Sequence, residues 1–130
     1  MIQILRIIVL INGVYDIVCA ICILLCIGCQ ATVPVFSKLH PTMFLERSDD
    51  PVVNRLLSYW ILTYGIVRLY AGLVDDYHIQ ILAAMTYFIE AGCFSYENLV
   101  GMTLVDYKAN FVSITSVILG SFLLMNTYRK

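Results

Sequence analysis

The sequence predicts an all-α membrane protein: a four-helix transmembrane bundle with short connections and one longer loop after the first helix. Of its 130 residues, 61% are hydrophobic and only 13% are charged, whereas a soluble domain carries roughly 25% charged residues. The apolar residues are concentrated in four stretches, and a bilayer core of ~30 Å needs about 20 helical residues to cross it. A water-soluble core in so short a chain cannot bury this much apolar surface.

The predicted helices cover roughly residues 4–29, 51–75, 77–104 and 108–128, within a single membrane domain over residues 1–130. The second helix should start near Pro51, because Asp50 is a favoured N-cap residue and proline fits the first helical position. Asp76 is a candidate N-cap for the third helix. Tight polar turns at residues 75–77 and 106–108 make helices that are adjacent in sequence antiparallel neighbours.

The connection between the first and second helices is the one long loop. It covers residues 30–54 and contains Pro34 and Pro41 together with scattered large apolar residues such as Phe36 and Phe44. A disordered linker rarely contains so many apolar residues. We therefore expect this loop to form an ordered segment at the membrane surface.

Each of the first three apolar stretches carries charge on one helical face. Asp16 follows Asn12 by four residues in the first helix, and Glu90 follows Thr86 by four residues in the third. In the second, Arg68 shares a stripe with glycines at positions 65 and 72. Residues at these spacings lie above one another on one side of a helix, and small residues there let a neighbouring helix approach.

These three charged residues should lie at similar depths in the membrane. With the turn at residues 75–77 taken as the bilayer edge, Arg68 lies about 12 Å deep and Glu90 about 20 Å deep at ~1.5 Å per residue. Asp16 enters from the same side and should lie between them. Because an ion in hydrocarbon costs from a few to more than ten kcal/mol, we expect these three residues to form an intramembrane ion cluster. It could serve as a polar relay or a ligand site; we favour a structural cluster that fixes helix order.

A second polar pair is expected near the opposite membrane face. Glu97 lies close to the end of the third apolar stretch, and Arg55 lies in the first turns of the second helix. The antiparallel order places both residues at the same end of the bundle. We therefore predict that Glu97 pairs with a basic residue at this face, with Arg55 as the first candidate and Arg47 or Lys108 as alternatives.

No metal or cofactor site is expected. Four cysteines in the first helix follow a C-x2-C-x3-C-x2-C pattern, namely Cys19, Cys22, Cys26 and Cys29. On a helix their thiols spread over ~15 Å, whereas Zn–S bonds of ~2.3 Å require them to converge on one point. We interpret these cysteines as small apolar residues at a helix–helix contact.

Catalytic and nucleic-acid-binding patterns are missing from the sequence. It contains no recognisable Ser–His–Asp triad motif, no H-E-x-x-H motif and no phosphate-binding glycine loop. The net charge is −1 and no basic cluster is present to neutralise phosphates. We expect a non-enzymatic protein whose partners are membrane lipids and other membrane proteins, with no nucleic acid. A sterol-isomerase-like activity built on Asp16, Glu90 and Glu97 is the enzymatic alternative.

The second to fourth helices resemble a known family. The matching pattern is Arg55-x4-Trp60-x7-Arg68-x-Tyr70, His78-Ile79, Met85-x-Tyr87, Phe94-x2-Glu97-Asn98-Leu99 and Thr103. It is similar to the ergosterol biosynthetic protein 28 family over roughly residues 54–129, and the first helix matches only in placement. The family-matching residues are Arg55, Trp60, Arg68, Glu97 and Thr103. Asp16, Glu90 and the cysteines of the first helix depart from the family's pattern.

The resemblance implies a small scaffold in the endoplasmic reticulum membrane. Such a scaffold is not an enzyme; it tethers sterol-synthesising enzymes, including a C-4 demethylation complex, to one another. Two alternatives remain open. The chain could be an accessory subunit of a large membrane complex, such as a respiratory assembly of the mitochondrial inner membrane. It could also be a lipid- or sterol-handling four-helix protein with a cavity around the charged residues.

Overall fold

The computed structural model describes residues 3–25 and 50–128, of which 92% are helical and none lies in a strand. The described elements are α1 (Gln3–Leu25), α2 (Pro51–Leu73), α3 (Tyr77–Tyr96), a π-helix (Glu97–Gly101) and α4 (Asp106–Tyr128). The predicted all-α, four-helix class is confirmed. The predicted extension of the first helix to residue 29, most of the long loop, and Cys26 and Cys29 lie outside the described residues.

The starts of α2 and α3 follow from their caps. The Asp50 carboxylate accepts a hydrogen bond from the backbone N–H of Val52 at 2.7 Å, and Pro51 is the first helical residue. The Asp76 carboxylate accepts from the backbone N–H of His78 at 2.9 Å. Both caps satisfy N–H groups that have no partner within the helix. The sequence-based predictions for these two helix starts are therefore correct.

The end of α3 differs from the prediction. The expected helix over residues 77–104 stops as an α-helix at Tyr96 and continues as a π-helix over Glu97–Gly101. Met102 then adopts a left-handed conformation, with φ 51°, and its backbone N–H bonds back to the Glu97 carbonyl. Nothing in the apolar pattern marks a change from α- to π-helical hydrogen bonding, so the sequence could not reveal this break. The next helix, α4, begins at Asp106, slightly earlier than predicted.

The helices pack as two antiparallel hairpins. Contacts are most extensive between α1 and α2 and between α3 and α4, while α2 and α3 touch less and α1 touches α4 at few points. Near the α2–α3 turn the hairpins share a core, to which Val9, Ala71, Ala83 and Leu123 contribute from α1, α2, α3 and α4 respectively. The hairpins are therefore joined at this end.

Towards the opposite end, each hairpin has its own core. Ala20 and Ile61 belong to a cluster formed by α1 and α2. Leu104 and Ala109 belong to a separate cluster, with Phe94 of α3 packed against it. Packing between the hairpins is therefore concentrated near the α2–α3 turn and in the middle of the bundle.

Glycines bring the backbones of α1 and α2 into direct contact. A Cβ atom added at Gly13 would lie 2.7 Å from the Leu69 Cα atom and 2.9 Å from the Gly65 carbonyl oxygen. A Cβ atom added at Gly72 would lie 2.8 Å from the Leu10 Cα atom. These distances are too short for any side chain, so the helices approach this closely only because glycine occupies these positions.

The outer surface of the bundle is apolar. Three of the described helices, α1, α2 and α4, are long and apolar enough to cross a membrane. The 20-residue helix α3 is not among them, since it carries the polar Gln80 and Glu90, but both side chains are buried against the other helices. Its outward residues, such as Leu82 and Ile89, are apolar and exposed. On α3 the polar Gln80 and Glu90 therefore face inwards, and large apolar side chains cover the outer surface.

Candidate functional site: a buried ion cluster

Arg68 of α2 is the centre of a buried ion cluster formed with Asp16 of α1 and Glu90 of α3. Its side chain is 1% exposed. The Arg68 Nη1 atom donates to Asp16 Oδ2 at 2.9 Å, and Nη2 donates to Glu90 Oε2 at 2.6 Å. The structure thus brings together the three charged residues that the depth estimate placed near one another.

The guanidinium group of Arg68 lies over the rings of two tyrosines. The Arg68 Cζ atom lies 3.8 Å from the centroid of the Tyr87 ring and 4.3 Å from the centroid of the Tyr64 ring. Both distances are well within the range in which a cation is attracted to the face of an aromatic ring. The Arg68 Nε atom also donates to the Thr86 hydroxyl at 3.2 Å. The guanidinium group is therefore held by two rings and a hydroxyl as well as by its two ion pairs.

Hydrogen bonds extend the ion cluster to all of α1–α4. The Ser116 hydroxyl of α4 donates to Glu90 Oε2 at 3.0 Å. The Tyr87 hydroxyl of α3 donates to Asn12 Oδ1 of α1 at 2.7 Å. The cluster consequently ties the α1–α2 hairpin to the α3–α4 hairpin in the middle of the bundle.

Sequence reasoning found the charged residues of this site but missed two of its neighbours. Ser116 was not predicted, although Ser113, Ser116 and Gly120 are spaced as one small-residue face of α4 and are all buried. Tyr87 appeared only as part of a family pattern, since no spacing rule identifies a ring that stacks on a distant arginine. Trp60, another family-matching residue, packs edge-on against Tyr64 with ring centroids 5.9 Å apart, and so lies next to the cluster.

The predicted pair between Arg55 and Glu97 is not formed, and this prediction is corrected. Both residues are described, and the ion pairs of the described residues do not include one between them. Glu97 Oε2 instead accepts a hydrogen bond from the Thr103 hydroxyl at 2.6 Å, across the π-helix. The two hairpins have separate cores at this end, and the π-helix directs the Glu97 carboxylate to its own turn. Two family-matching residues, Glu97 and Thr103, are thereby partners.

A second polar layer lies closer to the α2–α3 turn. The Gln80 side chain is fully buried; its Nε2 atom donates to Asp75 Oδ1 at 2.7 Å, and its Oε1 atom accepts from Asn126 Nδ2 at 3.0 Å. This chain of bonds joins the turn to α3 and α4. It adds a polar contact to the part of the bundle in which the hairpins share a core.

The described residues do not contain a group of three or more His, Cys, Asp or Glu side chains arranged to hold a metal ion. Cys19 and Cys22 of α1 and Cys93 of α3 are free thiols. The ion cluster is instead built from mutually paired groups, in which one guanidinium serves two carboxylates. Such an arrangement fixes the relative positions of the helices and can also hold a proton.

An apolar outer surface over helices of membrane-spanning length, with an ion cluster buried between the helices, defines an integral membrane protein of the helical-bundle class. Within this class, the chain belongs to the Erg28-like protein family, whose sequence model matches residues 5–124. The predicted resemblance is confirmed, and it extends beyond the second to fourth helices to include α1. No curated protein and no solved structure matches the chain. Family membership fits a membrane protein of sterol biosynthesis.

Proposed function

We propose that the protein is a non-enzymatic scaffold of the endoplasmic reticulum membrane that holds sterol-synthesising enzymes together, among them those of C-4 demethylation. The observation that carries the proposal is the family match over nearly the whole chain, residues 5–124. The partners would be membrane proteins, which contact the bundle within the bilayer.

The distribution of polar groups supports a scaffold. Asp16, Arg68 and Glu90 are buried and bonded to one another, so the ion cluster links the helices and is not presented on the outer surface. Each of α2, α3 and α4 presents large apolar residues outwards, for example Ile66, Ile89 and Ile114, all more than half exposed. Such faces contact lipid or the transmembrane helices of partner proteins, where association rests on close packing.

Affinity purification in a mild detergent, followed by mass spectrometry, tests the scaffold. We expect a tagged full chain to recover several sterol-pathway enzymes in reproducible ratios, while a tagged unrelated four-helix protein of the same membrane recovers none. Recovery of the chain without partners would contradict the proposal. Recovery with a single respiratory assembly would identify it as an accessory subunit instead.

A bypass experiment tests whether the protein acts without catalysis. In cells that lack the chain, direct fusion of the C-4 demethylation enzymes to one another should restore sterol synthesis, because a tether supplies only proximity. A matched control carries the same enzymes with a cleavable linker that has been cut. If fusion has no effect while re-expression of the chain restores synthesis, the chain supplies chemistry and the non-enzymatic proposal fails.

Site-specific photo-cross-linking tests which outer face of the bundle contacts partner proteins. A photoreactive amino acid at Ile66, Ile89 or Ile114 projects outwards, whereas the same replacement at Ile61, which is 0% exposed, projects into the α1–α2 core. We expect cross-links to sterol enzymes from one or more of the outward positions and none from Ile61. Cross-links to lipid alone from all three outward positions would argue against direct partners on these helices.

A further inference from the structure

The charges of the ion cluster do not balance. Asp16 and Glu90 together provide two carboxylates, while Arg68 provides one guanidinium group. The other basic residues of the described helices lie in end turns, as Arg6 and Lys108 do. With both acids ionised, the middle of the bundle would carry one uncompensated negative charge. Such a charge is costly in a low-dielectric interior, where ionisable groups become neutral instead.

The hydroxyl groups in and around the cluster do not supply the missing compensation. The Tyr87 hydroxyl donates to Asn12, and the Thr86 hydroxyl donates to the Ala83 carbonyl at 2.7 Å. The Ser116 hydroxyl donates to Glu90, which already binds Arg68. A hydroxyl dipole also cannot cancel a full charge. Neutrality therefore requires a cation, and the smallest one available is a proton.

The two carboxylates are not equivalent. Glu90 Oε2 accepts from Arg68 at 2.6 Å and from Ser116 at 3.0 Å, whereas among the described residues the one side-chain donor to Asp16 Oδ2 is Arg68, at 2.9 Å. Asp16 is also the more deeply buried, with 2% of its surface exposed against 8% for Glu90. Two donors, one of them charged and close, stabilise the ionised form of Glu90. The neutral form is therefore favoured at Asp16.

We propose that the ion cluster binds one proton, carried by the Asp16 carboxyl group, and is electrically neutral at neutral pH. The titratable groups around Asp16 are Tyr15 and Cys19 on α1, Tyr64 and Arg68 on α2, and Tyr87 and Glu90 on α3, while α4 reaches the cluster through the non-titrating Ser116, which bonds to Glu90. The phenols and the thiol are ordinarily neutral at this pH, so they leave the charge count unchanged. Because the bound proton removes one negative charge, the single guanidinium group of Arg68 can bind both carboxyl groups. These two groups come from different hairpins, so the proton allows the hairpins to pack together at the cluster.

Infrared spectroscopy of the full chain in lipid nanodiscs tests the proposal. At neutral pH we expect one carboxylic-acid C=O band that shifts when the protein is made with ¹³C-carboxyl aspartate and stays in place with ¹³C-carboxyl glutamate. Asp16→Asn should abolish the band. The matched control Asp106→Asn alters an exposed aspartate in the first turn of α4 and should leave the band unchanged.

A second variant tests whether Asp16 is protonated because of the charge balance of the cluster or because of its burial alone. In Glu90→Gln one acid faces one guanidinium, so Asp16 should ionise and the band should disappear although Asp16 is still present. Each variant is first shown to be monodisperse and helical, and a misfolded one is replaced by Asp16→Ser or Glu90→Ser. Absence of the band from the wild type overturns the proposal. A band that follows the glutamate label overturns the assignment to Asp16, and a band that persists in the Glu90 variant overturns the charge-balance argument.

Discussion

The ion cluster and the turn after α3 each contain a carboxylate with a short polar partner, yet they connect very different parts of the chain. Glu90 binds Arg68, which is 22 residues away, and Arg68 also binds Asp16, 52 residues away. Glu97 binds Thr103, only six residues away. The first set of contacts holds two hairpins together, and the second closes a single turn. Residue type alone does not distinguish these roles; the number of helices that converge on the carboxylate does.

Burial separates the two carboxylates further. The members of the ion cluster are at most 8% exposed, whereas the Glu97–Thr103 bond is exposed. Removing one partner of a buried ion pair leaves an uncompensated charge and costs about 3–5 kcal/mol. Exposed polar pairs contribute roughly 0–1 kcal/mol. This difference in burial predicts a graded series of stability losses, measurable as the free energy of unfolding in mixed micelles.

The largest loss is expected for Arg68→Leu. This variant removes the single cation that serves Asp16 and Glu90, so we expect the free energy of unfolding to fall by about 3–5 kcal/mol. Arg55→Leu is the matched control: it makes the same change in the same helix, at a position that is not buried. It should shift stability by no more than about 0.5 kcal/mol. Equal losses of unfolding free energy in the two variants would mean that Arg68 contributes no more to stability than an arginine of the same helix outside the cluster.

An intermediate loss is expected where α1 approaches α2. Gly13→Val places a side chain where the Leu69 backbone lies, so the helices must separate and Asp16 must move away from Arg68. Overpacking of this kind costs about 1–3 kcal/mol. Gly92→Ala is the control, because a Cβ atom there meets nothing within 4 Å, and we expect it to be neutral or to stabilise α3 by up to about 1 kcal/mol. The same unfolding assay measures both variants, and a tolerated valine at position 13 would show that the contact is not tight.

A smaller loss is expected for Tyr87→Phe. The ring that stacks on Arg68 stays, and only the hydroxyl bond to Asn12 is lost. The net value of such a bond is about 1 kcal/mol. Tyr59→Phe, on the exposed side of α2, should leave the free energy of unfolding unchanged. A loss as large as that of Arg68→Leu would mean that the hydroxyl, and not the cation, organises the cluster.

The sequence predicted this fold well where local chemistry decides it. Asp50, Pro51 and Asp76 mark helix starts through caps that depend only on neighbouring residues. The meeting of Asp16, Arg68 and Glu90 was also predictable, because helical rise converts residue number into depth and hydrocarbon strongly disfavours unpaired charge.

Prediction from sequence failed where one sequence pattern is compatible with two structural arrangements. Glu97 and Arg55 lie at the same end of the bundle, and depth alone made Arg55 a candidate partner of Glu97. The π-helix offers Glu97 a nearer partner, and its formation depends on how α3 and α4 pack at that turn, which apolar spacing does not encode. Ser116 was missed for a related reason: a small residue on a helix face has the same spacing whether it donates to a carboxylate or only fills space.

The smallest loss of stability in the series is expected at Thr103, and it should be confined to one turn of the chain. Thr103→Val keeps the shape of the side chain and removes the donor to Glu97 Oε2, so global stability should fall by no more than about 0.5 kcal/mol. The backbone bonds from Met102 and Thr103 to the Glu97 carbonyl remain, but the turn that they close becomes weaker. Hydrogen exchange should therefore speed up over residues 97–105 and stay unchanged in α1 and α2. Arg68→Leu should instead speed up exchange in α1–α4 together, because the ion cluster joins both hairpins; a local response to Arg68→Leu would contradict the contrast between the two carboxylates.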